Sequence, residues 1–312
     1  MRGRARAGTV AGMTDAPPPM HDSEVRVDAA LVTRLLAGQC PQWAGLPATL
    51  LRHSGTDNAM VRLGEGLVAR LPRIGWAATD VAKEVRWLPL LAPGLPLRVP
   101  EVRFTGVPGA GYPFGWGVYG WLPGVDAAVQ TVRDEAELAR DLAAFVRALH
   151  ATPLPVGEGP TGSRGGPLAE RDEATRDAIR ACAQLGFLNE GSALAVWDDA
   201  LSATPHAGPT TWLHADLKPG NLLAHSGRLS AVIDWGGLTL GDPAVDLQPA
   251  WNLLGPVGRA AFREALGVED AAWARGRGWA LSVSVIALPY YRYSNPGLAG
   301  VCRDTLRALL PG

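Results

Sequence analysis

Apolar positions along this 312-residue chain repeat first at helical spacing, then at strand spacing, then at helical spacing again, and the changes of period outline two lobes. In 24-EVRVDAALVTRLLA-37, Val27, Leu31 and Leu35 recur every four residues and Asp28 is placed to cap the start, so a first helix is expected. Strand-like runs follow at 49–52, 59–63 and 67–71, separated by 53-HSGTDN-58 and Gly64-Glu65-Gly66, both rich in turn formers. Asp80 stands where an N-cap would open a helix over 81–92, and strands are expected at 101–106 and 115–122. Leu122-Pro123-Gly124 ends that pattern. Beyond it, Asp134 opens a helix over 135–150, a Gly/Pro-rich loop covers 152–167, and helices follow at 170–184 and 191–203. Short β pieces at 211–213, 222–224 and 229–233 interrupt the helices, which resume from Pro243 to the end. The expected fold class is α+β, with a small β-rich lobe over 20–122 and a larger, mostly helical lobe over 123–312. A cleft between two lobes is a favoured place for a ligand.

Composition narrows the partner. Hydrophobic residues make up 47% and charged residues 19% of the chain, and a net charge of −1 gives no general attraction to nucleic acid or to an anionic membrane. A small molecule is the expected partner. Cys40, Cys182 and Cys302 are far apart and show neither C-x-x-C nor His-Cys spacing, so they read as three reduced thiols of a cytoplasmic protein. Residues 1–19 carry arginines and Pro17-Pro18-Pro19 but no apolar h-region, and are expected to be disordered, with Met13 or Met20 as alternative starts. The longest apolar run, 279-WALSVSVIALPYY-291, is shorter than the roughly 20 residues a bilayer requires and contains Pro289.

The chemistry concentrates in 212-WLHADLKPGNLL-223. A reversing turn needs Pro219-Gly220 and little else, yet this one carries a histidine, an aspartate, a lysine and an asparagine. Asp216 precedes Asn221 by five residues and Asp234 by eighteen, and Asp234 ends the strand-like 229-LSAVID-234. Two carboxylates and an amide at strand ends are hard oxygen donors that suit Mg²⁺, which takes one or two carboxylates and completes its shell with water and phosphate. The remaining aspartate is then free to accept a hydroxyl proton, and phosphoryl transfer needs little more than such positioning and charge neutralisation.

His214-x-Asp216-x-x-x-x-Asn221, followed by Ile233-Asp234-Trp235-Gly236, resembles the catalytic and metal loops of the protein-kinase-like superfamily. The continuation 241-GDPAVDL-247 narrows the resemblance to the aminoglycoside phosphotransferase family, over residues 24–310. The resemblance implies a two-lobe kinase-like fold and an ATP- or GTP-dependent enzyme that needs Mg²⁺ and moves the γ-phosphate to a hydroxyl of a small, antibiotic-like or natural-product molecule. Asp216 is then the catalytic base, Asn221 and Asp234 hold the metal, and Lys218 neutralises the transferring phosphate. His214 braces the loop, while Asp242 and Asp246 orient it or cap the helix near Pro243. In the first lobe the phosphate loop is Ser54 to Asn58. Arg70 takes the place of the usual phosphate-contacting lysine, with Glu84 as its partner. Tyr119-Gly120-Trp121-Leu122 forms a hinge that offers backbone bonds and an apolar wall to the base. Two other functions share these motifs, a metabolic kinase for an amino alcohol or sugar and a catalytically silent nucleotide-binding protein. The short path from Asp234 to Pro243 leaves no room for a protein kinase's activation segment.

For the acceptor, Trp251, Trp273 and Trp279 fall in the helical lobe and are candidates for contact. A polycationic acceptor asks for acids, but from Ala271 onward Asp304 is the sole acid against Arg275, Arg277, Arg292, Arg303 and Arg307. Acids elsewhere, such as Glu190, Asp198 and Asp199, can still fold into the pocket; the expectation is a neutral or weakly charged hydroxyl compound rather than a highly cationic one.

Overall fold

The computed structural model describes residues 23–51, 56–127 and 134–310; the amino-terminal extension and Ser54 lie outside the described residues. The first helix, α1 (Ala29–Gln39), starts as expected: Asp28 is extended and its carboxylate accepts the Leu31 N–H at 2.7 Å. β1 (Ala48–Leu50), β2 (Asn58–Leu63) and β3 (Leu67–Pro72) form an antiparallel meander. The chain then leaves the sheet for α2 (Asp80–Leu91) and returns as β4 (Val102–Gly106) and β5 (Trp116–Gly120), giving the order β1-β2-β3-β5-β4. One face of this sheet packs on α1, where Val32, Leu35 and Leu36 meet Val61, Leu63, Leu71, Trp116 and Val118. Each such side chain stabilises the lobe by roughly 1.5–3 kcal/mol when fully buried.

Asp80 does not cap α2. The residues before it, Gly75–Thr79, already turn as a 3-10 helix, so the chain enters α2 with Thr79 in helical rather than extended geometry and no side chain caps the end. Asp80 is the first helical residue, and its carboxylate turns to Arg70 at 3.6 Å. The buried face of α2, Trp87, Leu88 and Leu91, belongs to the core of the helical lobe, with Trp87 edge-on to Trp212 at 5.4 Å. The helix that carries Glu84 is thereby fixed to the second lobe as well as the first.

The second lobe begins with β6 (Val125–Asp126) and α3 (Glu135–Ala151), whose cap Asp134 accepts the N–H groups of Ala136 and Glu137 at 2.8 and 3.1 Å. Next come α4 (Asp172–Gln184) and α5 (Glu190–Ser202), then β7 (Thr211–Leu213), β8 (Leu222–His225), β9 (Arg228–Val232) and β10 (Thr239–Gly241). The lobe closes with α6 (Pro249–Asn252), α7 (Pro256–Leu266), α8 (Asp270–Tyr291) and α9 (Pro296–Leu309). β6 joins β8 and β9 in one small sheet and β10 pairs with β7. Both β6 and β10 are too short to show a period of their own, and pairing across the fold defines them. Cys40, Cys182 and Cys302 are free and buried, as expected, and burial pushes the Cys302 thiol up to about 12. Among the described residues no helix is long and apolar enough to cross a membrane.

Candidate active site

The turn between β7 and β8 is held from beneath by a buried carboxylate. Asp246 accepts the backbone N–H of His214 at 3.1 Å and of Ala215 at 2.7 Å, and His150 Nε2 lies 3.0 Å from its Oδ2. These bonds hold Ala215 at φ 63°, a left-handed conformation that costs a non-glycine residue about 1–3 kcal/mol. His214 is fully buried; its Nε2 bonds the Ile233 carbonyl at 3.1 Å and its Nδ1 accepts the Asp216 N–H at 3.3 Å. That pattern selects the Nε2–H tautomer, and burial lowers the pKa, so the ring is a neutral brace between the two loops. Asp242 caps the following turn by accepting the Ala244 N–H and takes a bidentate bond from Arg275 at 2.7 and 3.2 Å.

The strained turn presents Asp216. Its Oδ2 accepts from Lys218 and, at 3.0 Å, from Asn221 Nδ2, which also bonds the Asp216 carbonyl at 2.8 Å. Its Oδ1 accepts from Arg164, whose same nitrogen also reaches the Ala215 carbonyl at 2.8 Å. Burial opposes ionisation of Asp216, but Lys218 and Arg164 outweigh it and hold the carboxyl well below the usual carboxylate range. Arg164 escapes sequence reading because it belongs to the Gly/Pro-rich loop 152–167. The glycines of that loop have a structural use: Gly165, at φ +93°, accepts the Asp242 N–H at 2.8 Å, and any side chain at Gly241 would collide with its carbonyl. Close backbone contact at two glycines fixes Arg164 over Asp216.

Asp234 also has positive φ, 62°, and is separated from the end of β9 by one residue, Ile233. Its Oδ1 accepts from Arg70 at 2.9 Å. Arg70 meets three carboxylates rather than one, since it also pairs with Glu84 and lies 3.6 Å from Asp80. Burial works against its charge, yet Glu84 and Asp234 keep the guanidinium firmly protonated. Glu84 is fully buried and also accepts from the Tyr119 hydroxyl at 2.5 Å and the Trp235 N–H at 3.1 Å. Lys83 adds a bond from α2 to the Gly236 carbonyl at 2.7 Å. Sheet, helix and second lobe thus meet at Arg70 and Glu84. Burial, reinforced by Asp234 and only partly offset by Arg70, raises the Asp80 carboxyl to about 6.

The donor set fits Mg²⁺. Asn221 points its amide nitrogen at Asp216, which leaves its Oδ1 without a protein donor among the described residues, and Arg70 occupies one oxygen of Asp234 and leaves the other. One amide oxygen and one carboxylate oxygen match this ion's preferences, and water and phosphate would complete its shell. Among the described residues no cluster of three or more His, Cys, Asp or Glu side chains competes as a metal site.

Two of the hinge residues make contacts within the protein. The Tyr119 side chain is spent on Glu84, and the Trp121 N–H already donates to the Gly66 carbonyl at 2.8 Å, with the Trp121 ring 3.7 Å from the Arg62 guanidinium. Strand pairing continues one residue past β5 and takes the Trp121 N–H. Trp251 and Trp273 line a cavity of about 460 Å³ with Arg277, and Trp251 also borders one of about 800 Å³ that reaches Pro219. Trp279 is buried. The arginine count near the carboxyl end overstates the free charge, because Arg275 is neutralised by Asp242 and Arg307 by Asp304.

A five-stranded antiparallel sheet joined to a helical lobe, with Asp216, Asn221 and Asp234 at the junction, defines a protein-kinase-like fold. The chain belongs to the phosphotransferase enzyme family, whose model matches residues 49–279. Among solved structures it is similar to the GDP and kanamycin complex of APH(2'')-IIia, with 20% identity and a TM-score of 0.68 over 88% of this chain and 96% of that one. ADP-bound aminoglycoside phosphotransferase APH(2'')-Ib gives 16% and 0.59 over 90% and 98%. Macrolide 2'-phosphotransferase type I gives 21% and 0.60 over 89% and 96%. At these identities the likeness concerns the fold. Among curated proteins none matches the chain.

Proposed function

We propose that the protein transfers the γ-phosphate of ATP or GTP to a hydroxyl of a small molecule. The observation that carries this reading is the convergence of Asp216, Lys218 and Asn221 on one turn, with Asp234 joined through Arg70 to the sheet. Fold relatives solved with GDP or ADP support a nucleotide donor. Asn221 and Asp234 would hold Mg²⁺, which when bound would neutralise charge on the phosphates. Asp216 accepts the hydroxyl of the acceptor on Oδ1 and aligns it with the phosphorus. A carboxylate kept this acidic is a weak base, so it orients the hydroxyl and takes its proton late, as a loose transition state permits. Lys218, on the opposite oxygen, is placed to meet charge on the transferring group. Arg70 and Glu84 hold the two lobes in register, and His214 and Asp246 maintain the strained turn.

The acceptor is not a polycation, because the group nearest to Oδ1 is itself a cation, Arg164. Purified protein with Mg²⁺, ATP or GTP and a panel of hydroxylated compounds, followed by phosphorus NMR, tests both statements. A phosphomonoester of a neutral or weakly charged compound is the expected product. Efficient phosphorylation of kanamycin-like compounds would remove the acceptor assignment, and nucleotide turnover indifferent to Mg²⁺ would remove the metal assignment.

A further inference from the structure

Asp80 is a carboxylate that the fold itself does not need. It is the first residue of α2 and caps nothing, yet its side chain is only 15% exposed. It accepts no hydrogen bond among the described residues, and the one cation within 4 Å of it there is Arg70, whose Nη2 lies 3.6 Å from its Oδ2. An acid in a first helical turn gains from the helix dipole while fully solvated, so the dipole does not explain the burial. Burying a carboxylate without a hydrogen-bonded partner is costly. The metal loop nevertheless makes room for it: a side-chain carbon at Gly236 would stand 2.6 Å from Asp80 Oδ2, and glycine leaves that space to the carboxylate.

The contacts of Arg70 show what Asp80 is placed to do. Nη1 pairs with Glu84, while Nη2 is 2.9 Å from Asp234 Oδ1 and has Asp80 as its further neighbour. The Arg70 side chain is 6% exposed, so water is a poor substitute for a lost partner. A divalent cation on the second oxygen of Asp234 would draw that carboxylate's charge to itself and repel the guanidinium beside it. Asp80 is then the negative group within reach of the same nitrogen, and a shift of less than about 1 Å brings the two to bonding distance. The frame around them is held. Lys83 donates to the Gly236 carbonyl at 2.7 Å and Glu84 accepts the Trp235 N–H at 3.1 Å, so α2 stays on the loop while the fork turns.

We propose that Asp80 is the second seat of Arg70: when Mg²⁺ occupies Asp234, the guanidinium passes from Asp234 to Asp80 and the buried charge stays matched. Asp80 is thus a positioning residue for the metal site and touches neither metal nor nucleotide. This role rests on Asp234 holding the metal, and the two statements fail separately.

Calorimetry of ADP and GDP binding to the full-length protein, in EDTA and in saturating Mg²⁺ at about pH 8, where carboxylates are ionised, measures how far the metal strengthens nucleotide binding. In Asp80→Asn, nucleotide affinity in EDTA should stay within about twofold of wild type, and the gain on adding Mg²⁺ should shrink at least about tenfold, within the range of coupling between linked sites. The melting temperature in EDTA should not fall, which separates this role from a merely structural one. Asp80→Glu keeps the charge and should recover part of the gain. A full Mg²⁺ gain in Asp80→Asn, as expected if Arg70 turned to phosphate instead, overturns the proposal. So does a loss of affinity in EDTA as large as the loss of gain, or a glutamate variant no better than asparagine. A gain that survives Asp234→Asn removes the metal assignment itself, and binding of neither nucleotide removes the donor reading.

Discussion

The two oxygens of Asp216 face two differently built halves of the molecule. Around Oδ2 everything comes from one continuous stretch: Lys218 and Asn221 lie on the same turn, and Asp234 and Asp246 follow within thirty residues. Around Oδ1 the contact comes from afar, from Arg164 on a loop 52 positions earlier. The first half is local geometry reinforced by a buried acid. The second exists only once the helical lobe has packed. Donor chemistry can therefore be written into a spacing, whereas acceptor chemistry is a property of the tertiary fold.

Perturbing each side should separate them. The largest loss of stability is expected at the joint between the lobes: Arg70→Gln strands Glu84, fully buried, and should cost about 3–5 kcal/mol in a denaturant melt, as expected when one partner of a buried pair is removed. A loss below about 1 kcal/mol would show that the pair is not what joins sheet, α2 and the Asp234 loop. Next in size is a pH effect at the same joint. Folding raises the Asp80 carboxyl to about 6 from an ordinary value near 4, so the folded form holds the proton more tightly and stability falls as pH rises from 4 through 6. Relative to Asp80→Asn, the wild type should lose about 3 kcal/mol across that window and nothing further above it. Parallel curves for the two proteins would remove this account of Asp80.

On the Oδ1 side of Asp216, Arg164→Gln should lower kcat about tenfold by loosening that oxygen, with the KM for nucleotide unchanged. Losing one of its two cations also lets Asp216 bind a proton more readily, so the acidic limb of the rate profile should move to higher pH. A variant that raised the nucleotide KM and left the acidic limb in place would transfer Arg164 to the donor side.

What could be read from the sequence follows the same division. The caps of α1 and α3, the five strands of the small lobe and the pairing of Arg70 with Glu84 all depend on neighbours in sequence or on one helical turn, and they stand where the spacing puts them. Asp80 misleads because an acid before an apolar helix looks like a cap, while the 3-10 turn that displaces it leaves no pattern. The Trp121 N–H is lost to strand pairing with Gly66, a long-range contact. Arg164 is hidden among glycines that look like linker, although small residues on both sides of a lone arginine are what close backbone approach requires. The count of arginines near the carboxyl end overstates the free charge, since Arg275 and Arg307 are paired with Asp242 and Asp304, contacts that the count leaves out.

The central claim is that Asp216 alone joins a nucleotide half to an acceptor half. Asp216→Asn keeps the shape of the side chain and removes the negative charge. Calorimetry of Mg²⁺-nucleotide binding beside turnover on the same preparation should show affinity within about twofold of wild type and turnover reduced at least about a thousandfold, in the range expected for loss of a positioned general base. Turnover near the wild-type rate with nucleotide still bound would contradict the account.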